Sequence, residues 1–434
     1  MNASTPRLPD SLWAASAATP APTPPLKGRH EADVVVVGGG FAGLSTALHL
    51  SEAGKSVILL ESAEPGWGAS GRNGGQVNPA WRMLPSEITA KYGSNRAPAV
   101  LDMLNRSCDL AFDVIKRHAI DCDAERPGFV HAGFGQFGKT FLDGWVKEWT
   151  ALGVPVERYD RKGLADLIGT DFYHFGMRDP RGGHLQPLSY ARGLAKAAIA
   201  QGATIHGGSA VTEIHEKGKG WRVVTAGGEV EAEHVVLCTN AYTDKLWPDL
   251  RKSVVPVVSF VAATEPLDAA RLAKILPGRH ACAETRRELH YFKLDRDNRF
   301  VIGGRGNLTN VKTEGSVEHL KETARRIFPA LEGVGWSYGW GGRIAATPDH
   351  TPRLFKLARN VHAGLAFNGR GVAMATMFGT QLARVVLGEE PEMPVEDMDQ
   401  VPNHAFRQFG ITWFMVSGRI LDKRDMAETP PTLA

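Results

Sequence analysis

Asp33-Val34-Val35-Val36-Val37-Gly38-Gly39-Gly40-Phe41-Ala42-Gly43 decides the fold of this 434-residue chain. Four consecutive valines read as a strand buried on both faces, as in a parallel sheet. After the glycines, Leu44, Ala47, Leu48 and Leu50 recur at helical spacing until Gly54. A second strand, Ser56 to Leu60, closes a βαβ unit and carries Glu61 at its tip. Gly38, Gly40 and Gly43 therefore occupy the three places of a dinucleotide fingerprint in its proper context. The first allows the tight turn, the second lets a pyrophosphate approach the backbone, and the third lets the helix pack on the sheet. Phe41 and Ala42 stand in the first helical turn, where free N–H groups and the positive dipole face phosphate. Glu61 lies 18 residues past Gly43, with Ser62 beside it. Its carboxylate suits a ribose diol and repels a 2′-phosphate, which excludes NADP.

The fingerprint alone does not separate NAD from FAD. The next segment does: Gly66-Trp67-Gly68-Ala69-Ser70-Gly71-Arg72-Asn73-Gly74-Gly75-Gln76 directly follows the ribose-binding strand. Such a stretch can lay backbone amides along an extended cofactor, and Gly68, Ala69, Ser70, Arg72, Asn73, Gly74, Gly75 and Gln76 are its candidate contacts. Read in isolation, the same stretch is also compatible with a flexible surface loop.

Length suggests two closely packed domains. Apolar residues at 43% and charged residues at 22% are ordinary for a globular enzyme. Fifty basic side chains against 47 acidic ones give a net charge of +3, and no basic run points to nucleic acid. Cys108, Cys122, Cys238 and Cys282 form no CxxC pair and no zinc spacing, so no metal is expected. Scattered thiols read as buried residues in a reducing, cytoplasmic compartment. The stretch Met1 to Lys27 lacks a secretory pattern and reads as an arm with Trp13 as a possible anchor. No run is apolar and long enough to span a bilayer.

Further along, Pro85 to about Arg117 reads as helix, Asp123 to Thr140 as short strands, and Ser189 to Gln201 as helix. Strands are expected at 203–206, 211–215, 221–225, 234–238, 254–264 and 300–303. The glycine-rich block Gly364 to Gly371 opens a helix to about Leu387. From about Pro391 the chain reads as a connection and a weakly amphipathic tail.

Together these residues resemble the D-amino-acid-oxidase-like superfamily of FAD-dependent amine oxidoreductases, from about Ala32 to Gly388. Within it, Gly66 to Gln76, Arg117 to Cys122 and Gly342 to His350 are similar to the γ-glutamylputrescine oxidoreductase and L-pipecolate oxidase branch. The resemblance implies an α/β fold in which a Rossmann-like FAD-binding domain (31–115, 184–253 and 336–390) interleaves with a mostly antiparallel β-sheet substrate domain (116–183 and 254–335). An arm (1–30) and a tail (391–434) flank them. It also implies that Val211 meets adenine through its main chain. Thr239 and Asn240 lie on the second FAD-contacting strand and turn, and Gly342 lies beside the flavin. Gly369, Arg370, Gly371 and Val372 bring a helix N-terminus to the flavin ring, where dipole and amides favour negative charge.

Two departures matter. Family members with covalent flavin carry a His or Cys near the ring; here Ser70 to Gln76 holds no His and the block before Thr347 no Cys, so FAD is expected to be non-covalent. Amino-acid oxidases often carry an arginine three residues before this Thr. Here that place is Ile344, and Arg343 is one step earlier, on the other face of a strand. A substrate whose carboxylate lies away from the oxidised carbon, as in a γ-glutamylated amine, suits that shift.

The implied reaction is hydride transfer from the amine carbon to flavin N5, hydrolysis of the imine, and reoxidation by oxygen, giving hydrogen peroxide, or by a quinone. Candidate substrate-site residues are Tyr291 and His290, as a pocket wall or a half-buried strand, and Trp340, as a flavin roof or a core residue. Arg343 and Arg370 are either carboxylate holders or structural ion pairs, while His350 reads as structural. Other readings are oxidation of cyclic or N-alkyl amino acids such as L-pipecolate or sarcosine-like compounds, a hydroxy-acid dehydrogenase, and a non-catalytic flavoprotein.

Overall fold

A computed structural model describes residues 6–305 and 317–427. Residues 1–5 of the expected arm, 306–316 of the expected substrate domain and 428–434 of the expected tail lie outside the described residues.

Val34, Val35, Val36 and Val37 are all buried, as a strand covered on both faces requires. Their strand, Gly28–Val37, pairs in parallel with Val57–Leu60 on one side and Gly228–Leu237 on the other. Thr204–His206 and Val361–Leu365 extend the parallel core outward, and Arg353–Ala358 adds an antiparallel strand. A hairpin, Val211–Lys217 with Gly220–Thr225, pairs antiparallel with Gly228–Leu237. In all, nine strands form this sheet. Helices Phe41–Glu52, Pro85–Arg117, Pro187–Ala200 and Gly371–Val386 contribute to the core that covers one of its faces.

The second sheet has eight strands, in the order Trp336–Ala346, Val255–Pro266, Arg299–Arg305, His290–Leu294, Ala281–Glu284, Phe129–Gly133, Phe175–Asp179, Glu157–Tyr159. Its pairs are antiparallel except Ala281–Glu284 with Phe129–Gly133. The architecture is thus mixed α/β, with one largely parallel and one largely antiparallel sheet. Trp336–Ala346 bonds along its length to Val255–Pro266, so the segment from 336 enters as a strand of the second sheet before the chain crosses to the first.

Two elements differ from the sequence expectation. Gly135–Ala151 is a helix, so the expected strands end at Gly133. Its apolar residues Gly138, Leu142, Trp145 and Trp149 recur at helical spacing on the buried side. The expected tail contains a 21-residue helix, Arg407–Ala427, with Phe409, Trp413, Val416 and Ile420 exposed on it and Phe406 exposed just before it. Among the described residues, no helix is long and apolar enough to cross a membrane. All four cysteines are free and buried. Trp13 is buried; its indole packs edge-on against Trp340 at 5.6 Å and donates to the Asn73 carbonyl at 2.8 Å.

Candidate active site

The valine strand ends at Gly38, where φ is 107° and a Cβ would lie 2.8 Å from the Cys238 carbonyl oxygen. Only glycine takes that conformation at that distance. The helix Phe41–Glu52 then begins with no side-chain cap from Gly40; Phe41 N–H donates to Ser70 Oγ at 2.9 Å. The helix Gly371–Val386 likewise begins with no side-chain cap from Arg370. Gly40, Phe41 and Ala42 at the first helix start, and Gly369, Arg370, Gly371 and Val372 at the second, line one cavity of about 880 Å³. Two electropositive helix starts, neither capped by the side chain of its own preceding residue, therefore open on the same space, which is of small-molecule size.

Glu61 also lines this cavity. Its carboxylate accepts from Gly39 N (2.6 Å), Ala63 N (2.9 Å) and Ser62 Oγ (3.0 Å). A carboxylate has about four acceptor sites, which leaves room for one hydroxyl. Ser62, Gly68, Ala69, Ser70, Arg72, Asn73, Gly74 and Gln76 are on the wall, and so are Val211, Thr239, Asn240, Gly342 and Arg343. Gly43 and Gly75 are not. Gly43 packs the helix on the turn, since a Cβ there would fall 2.0 Å from the Gly38 carbonyl oxygen. Gly75 turns toward Leu185, whose N–H donates to its carbonyl at 2.8 Å. Two helix starts, a carboxylate at a strand tip and a lining that includes Val37, Leu60, Val211 and Val372 fit a dinucleotide with phosphate, ribose and flat aromatic parts.

Tyr291 faces the cavity and closes against the glycine loop. A Cβ on Gly74 would lie 2.4 Å from its ring, so this close approach requires glycine. Its hydroxyl lies 3.1 Å from Ser259 Oγ, which donates to the Gly304 carbonyl. His290, one residue away on the strand, is turned from the cavity and bonds Glu284 at 3.2 Å, because strand side chains alternate faces. Trp340 does not line the cavity either; it is buried against Trp13 and donates to the Arg72 carbonyl at 2.9 Å. Arg343 is solvent-accessible and lies 5.7 Å from the Tyr242 ring.

Glu284 is a buried carboxylate on the cavity wall. Burial alone would raise it, but the Arg286 guanidinium, His290 and the Tyr173 hydroxyl outweigh burial and hold it at about 2. Arg370 is buried and donates to the Pro79 carbonyl at 2.6 Å. Burial, with Arg82 nearby, pushes it down to about 9. Burial, followed by Arg370 and Arg82, holds His131 well below its ordinary value, so its ring is neutral. Burial pushes the Cys238 thiol, also on the wall, up to about 12. Among the described residues, no group of His, Cys, Asp and Glu could hold a metal.

Sequence reading overlooked four parts of this wall: Arg82, Arg305, His131 and the aromatic face of Phe406, Phe409 and Phe414. Arg82 follows the glycine loop with no pattern around it. Arg305 carried a signal, as a charge ending an otherwise buried strand. His350, expected to be structural, is on the wall as well.

Residues 33–385 match the family model described as DAO, FAD dependent oxidoreductase. The chain is 33% identical over 382 residues to gamma-glutamylputrescine oxidoreductase of Escherichia coli, covering 87% of this chain and 89% of that one. It is 32% identical over 386 residues to the probable oxidoreductase OrdL of Haemophilus influenzae, covering 88% of each. Glycine oxidase from Geobacillus kaustophilus superposes with a TM-score of 0.71 at 22% identity, covering 84% of this chain and 97% of that one. At that identity the likeness speaks for the fold.

Proposed function

This chain belongs to the DAO family of FAD-dependent oxidoreductases, and from that membership we propose that it oxidises an amine, with a γ-glutamylated amine as substrate. FAD is the cofactor, and when bound it supplies the acceptor for the hydride that leaves the carbon next to nitrogen. Loss of that hydride and of an N–H proton gives an imine, which water hydrolyses to a carbonyl compound and a free amine.

One observation carries the reading. Arg82, Arg305 and Arg370 line the cavity, and none has a carboxylate within ion-pair distance among the described residues. Glu284, the buried carboxylate beside them, is committed to Arg286 at 2.6 Å. Uncompensated cations disfavour an ammonium group and favour its neutral form, the form that can release hydride. They equally favour a substrate that brings a negative charge of its own. His131, neutral and wedged between cations, adds no charge. Tyr291 and Ser259 offer hydroxyls to position a polar group. The identity shared with gamma-glutamylputrescine oxidoreductase supports the γ-glutamyl amine over cyclic or N-alkyl amino acids.

Glu61, the two helix ends and the 66–76 loop would hold FAD without a covalent bond. Cys238 is the cysteine on the wall, and its thiol stays protonated at neutral pH. Acid precipitation should leave yellow flavin in the supernatant; colour retained in the pellet would show a covalent tether.

The substrate reading is tested by mixing the flavin-loaded protein anaerobically with γ-glutamyl amines, free polyamines, cyclic imino acids, N-methyl amino acids and hydroxy acids. γ-Glutamyl amines should bleach the flavin fastest. Faster bleaching by cyclic or N-methyl amino acids, or by hydroxy acids, would overturn the assignment.

A further inference from the structure

We propose that Arg82 and Arg305 form a carboxylate subsite in the cavity, which grips the acidic end of the substrate at a distance from the carbon being oxidised. The proposal rests on the amine-oxidation reading above and names the side chains that select within it.

Both side chains line the cavity but come from different parts of the chain. Arg82 follows the glycine loop, and its Nη2 donates to the Thr285 carbonyl at 3.0 Å. Arg305 ends the strand Arg299–Arg305, and its guanidinium lies 4.9 Å over the ring of Phe414 on the C-terminal helix. Among the described residues, no carboxylate lies within ion-pair distance of either. The acids nearest to Arg305 are already taken: Asp422 by Arg287 at 3.1 Å and by two backbone N–H groups, Glu288 by Arg419 at 2.7 Å.

The electrostatics point the same way. Burial, then Arg305, pushes Arg82 down to about 10, and burial lowers Arg305. His350 lines the same space and is lowered by burial, then by Arg82 and Arg305, which disfavour a further positive charge beside them. Two guanidinium groups are thus held in a partly dry cavity with no carboxylate in ion-pair contact among the described residues, Asp422 acting on both only from a distance, an arrangement that favours an anion to complete it. A carboxylate fits, since guanidinium offers parallel donors to both of its oxygens.

Arg343 has other surroundings. Its neighbours are the ring of Tyr242 and Arg72, a residue of the glycine loop. The one-residue shift that leaves Ile344 at the usual arginine place is therefore accompanied by a second cationic pair, Arg82 and Arg305, on the cavity wall.

The test uses flavin-loaded protein, wild type and the Arg82→Gln, Arg305→Gln, Arg82→Lys and Arg305→Lys variants, each with flavin occupancy and circular dichroism checked. The first readout is binding of glutarate, followed as a perturbation of the flavin absorbance. The second is KM and kcat for a γ-glutamyl amine and for its analogue with the α-carboxylate converted to carboxamide. Each glutamine variant should weaken glutarate and raise KM for the acid by about 10- to 100-fold, the range of a lost charge-assisted bond. The loss should be larger for the acid than for the carboxamide analogue, which keeps only the effect of the removed cation on the amine, and lysine, which keeps the charge, should restore part of it. If a glutamine variant does not fold, its lysine variant still reports, because a point charge cannot reproduce the two-pronged contact. Equal losses for acid and carboxamide, or unchanged glutarate binding, would overturn the subsite while leaving amine oxidation standing. Glutarate binding that depends on both arginines, with no amine oxidised, would keep the subsite and sink the amine reading.

Discussion

Lys293 shows what a single buried charge does to this protein. It is almost fully buried, donates to the Leu185 carbonyl at 2.7 Å and lies 5.0 Å over the Trp13 ring. Burial pushes its ammonium down to about 8 from the ordinary 10.5. The folded value is thus below the unfolded one. Below about pH 8 both states hold the proton, and the cost of burying the charge is present in full. Between about pH 8 and 10.5 the folded protein releases the proton while the unfolded chain keeps it, so stability rises with pH through that window. The difference in unfolding free energy between wild type and Lys293→Met should therefore move in favour of wild type by about 1–3 kcal/mol from pH 7 to pH 10, as a tenfold change in proton affinity is worth about 1.4 kcal/mol. Urea titrations at the two pH values measure it; a difference that does not change with pH would mean that Lys293 carries its charge through folding unperturbed. At this scale, sequence reading named Tyr291 and His290 together, and the structure places only Tyr291 on the cavity. Strand alternation separates such neighbours, but a sequence does not say which face is which until the sheet has a partner.

Among the elements, the C-terminal helix is held by its polar residues. Asp422 is buried and accepts from Arg287 N (3.0 Å), Arg287 Nη1 (3.1 Å) and Glu288 N (2.8 Å), and Asp425 adds a contact to the same arginine at 2.6 Å. Asp422→Ala should leave two backbone N–H groups and part of a guanidinium without partners, a loss of about 2 kcal/mol or more. The expected result is faster protease cleavage between residues 400 and 412 and a raised KM, with FAD retained. An unchanged digestion pattern would show that the helix is held elsewhere. This helix was obscure in the sequence for a physical reason. Its apolar residues do not fall on one buried face; Phe409 and Trp413 stay 75% and 67% exposed, so periodicity gives a weak signal. The helix Gly135–Ala151 was hidden differently: its start, Gly135-Gln136-Phe137-Gly138, is rich in glycine, a poor helix former, and only the later tryptophans reveal the helical period. By contrast, the run Val34 to Val37 could be read directly, because a strand buried on both faces leaves no polar alternative.

Across the whole molecule, the cavity is where the two sheets meet. Gly38, Glu61 and Thr239 belong to the parallel sheet and its turns; Ser259, Tyr291 and Arg305 to the antiparallel one. The cofactor half was legible because phosphates and ribose demand fixed backbone geometry at fixed spacing. The rest of the wall was legible only in part: Tyr291 could be named and Arg305 carried a signal, but Arg82 and His131 are brought to the cavity by folding that leaves no local pattern. The N-terminal arm adds a third source, for the Arg7 carbonyl accepts from Trp67 Nε1 at 2.8 Å and Trp13 donates to Asn73, clamping both ends of the glycine loop.

Phe406, Phe409 and Phe414 also bear on how the protein is made. Ribosomal synthesis delivers both sheets and both helix ends before it supplies this wall. A chain that stopped just short of residue 406 would carry Gly38, Glu61 and both helix starts but not the Phe406, Phe409 and Phe414 part of the wall. The order of translation thus puts this part of the wall last, after every element that carries the glycine turn and the two helix starts.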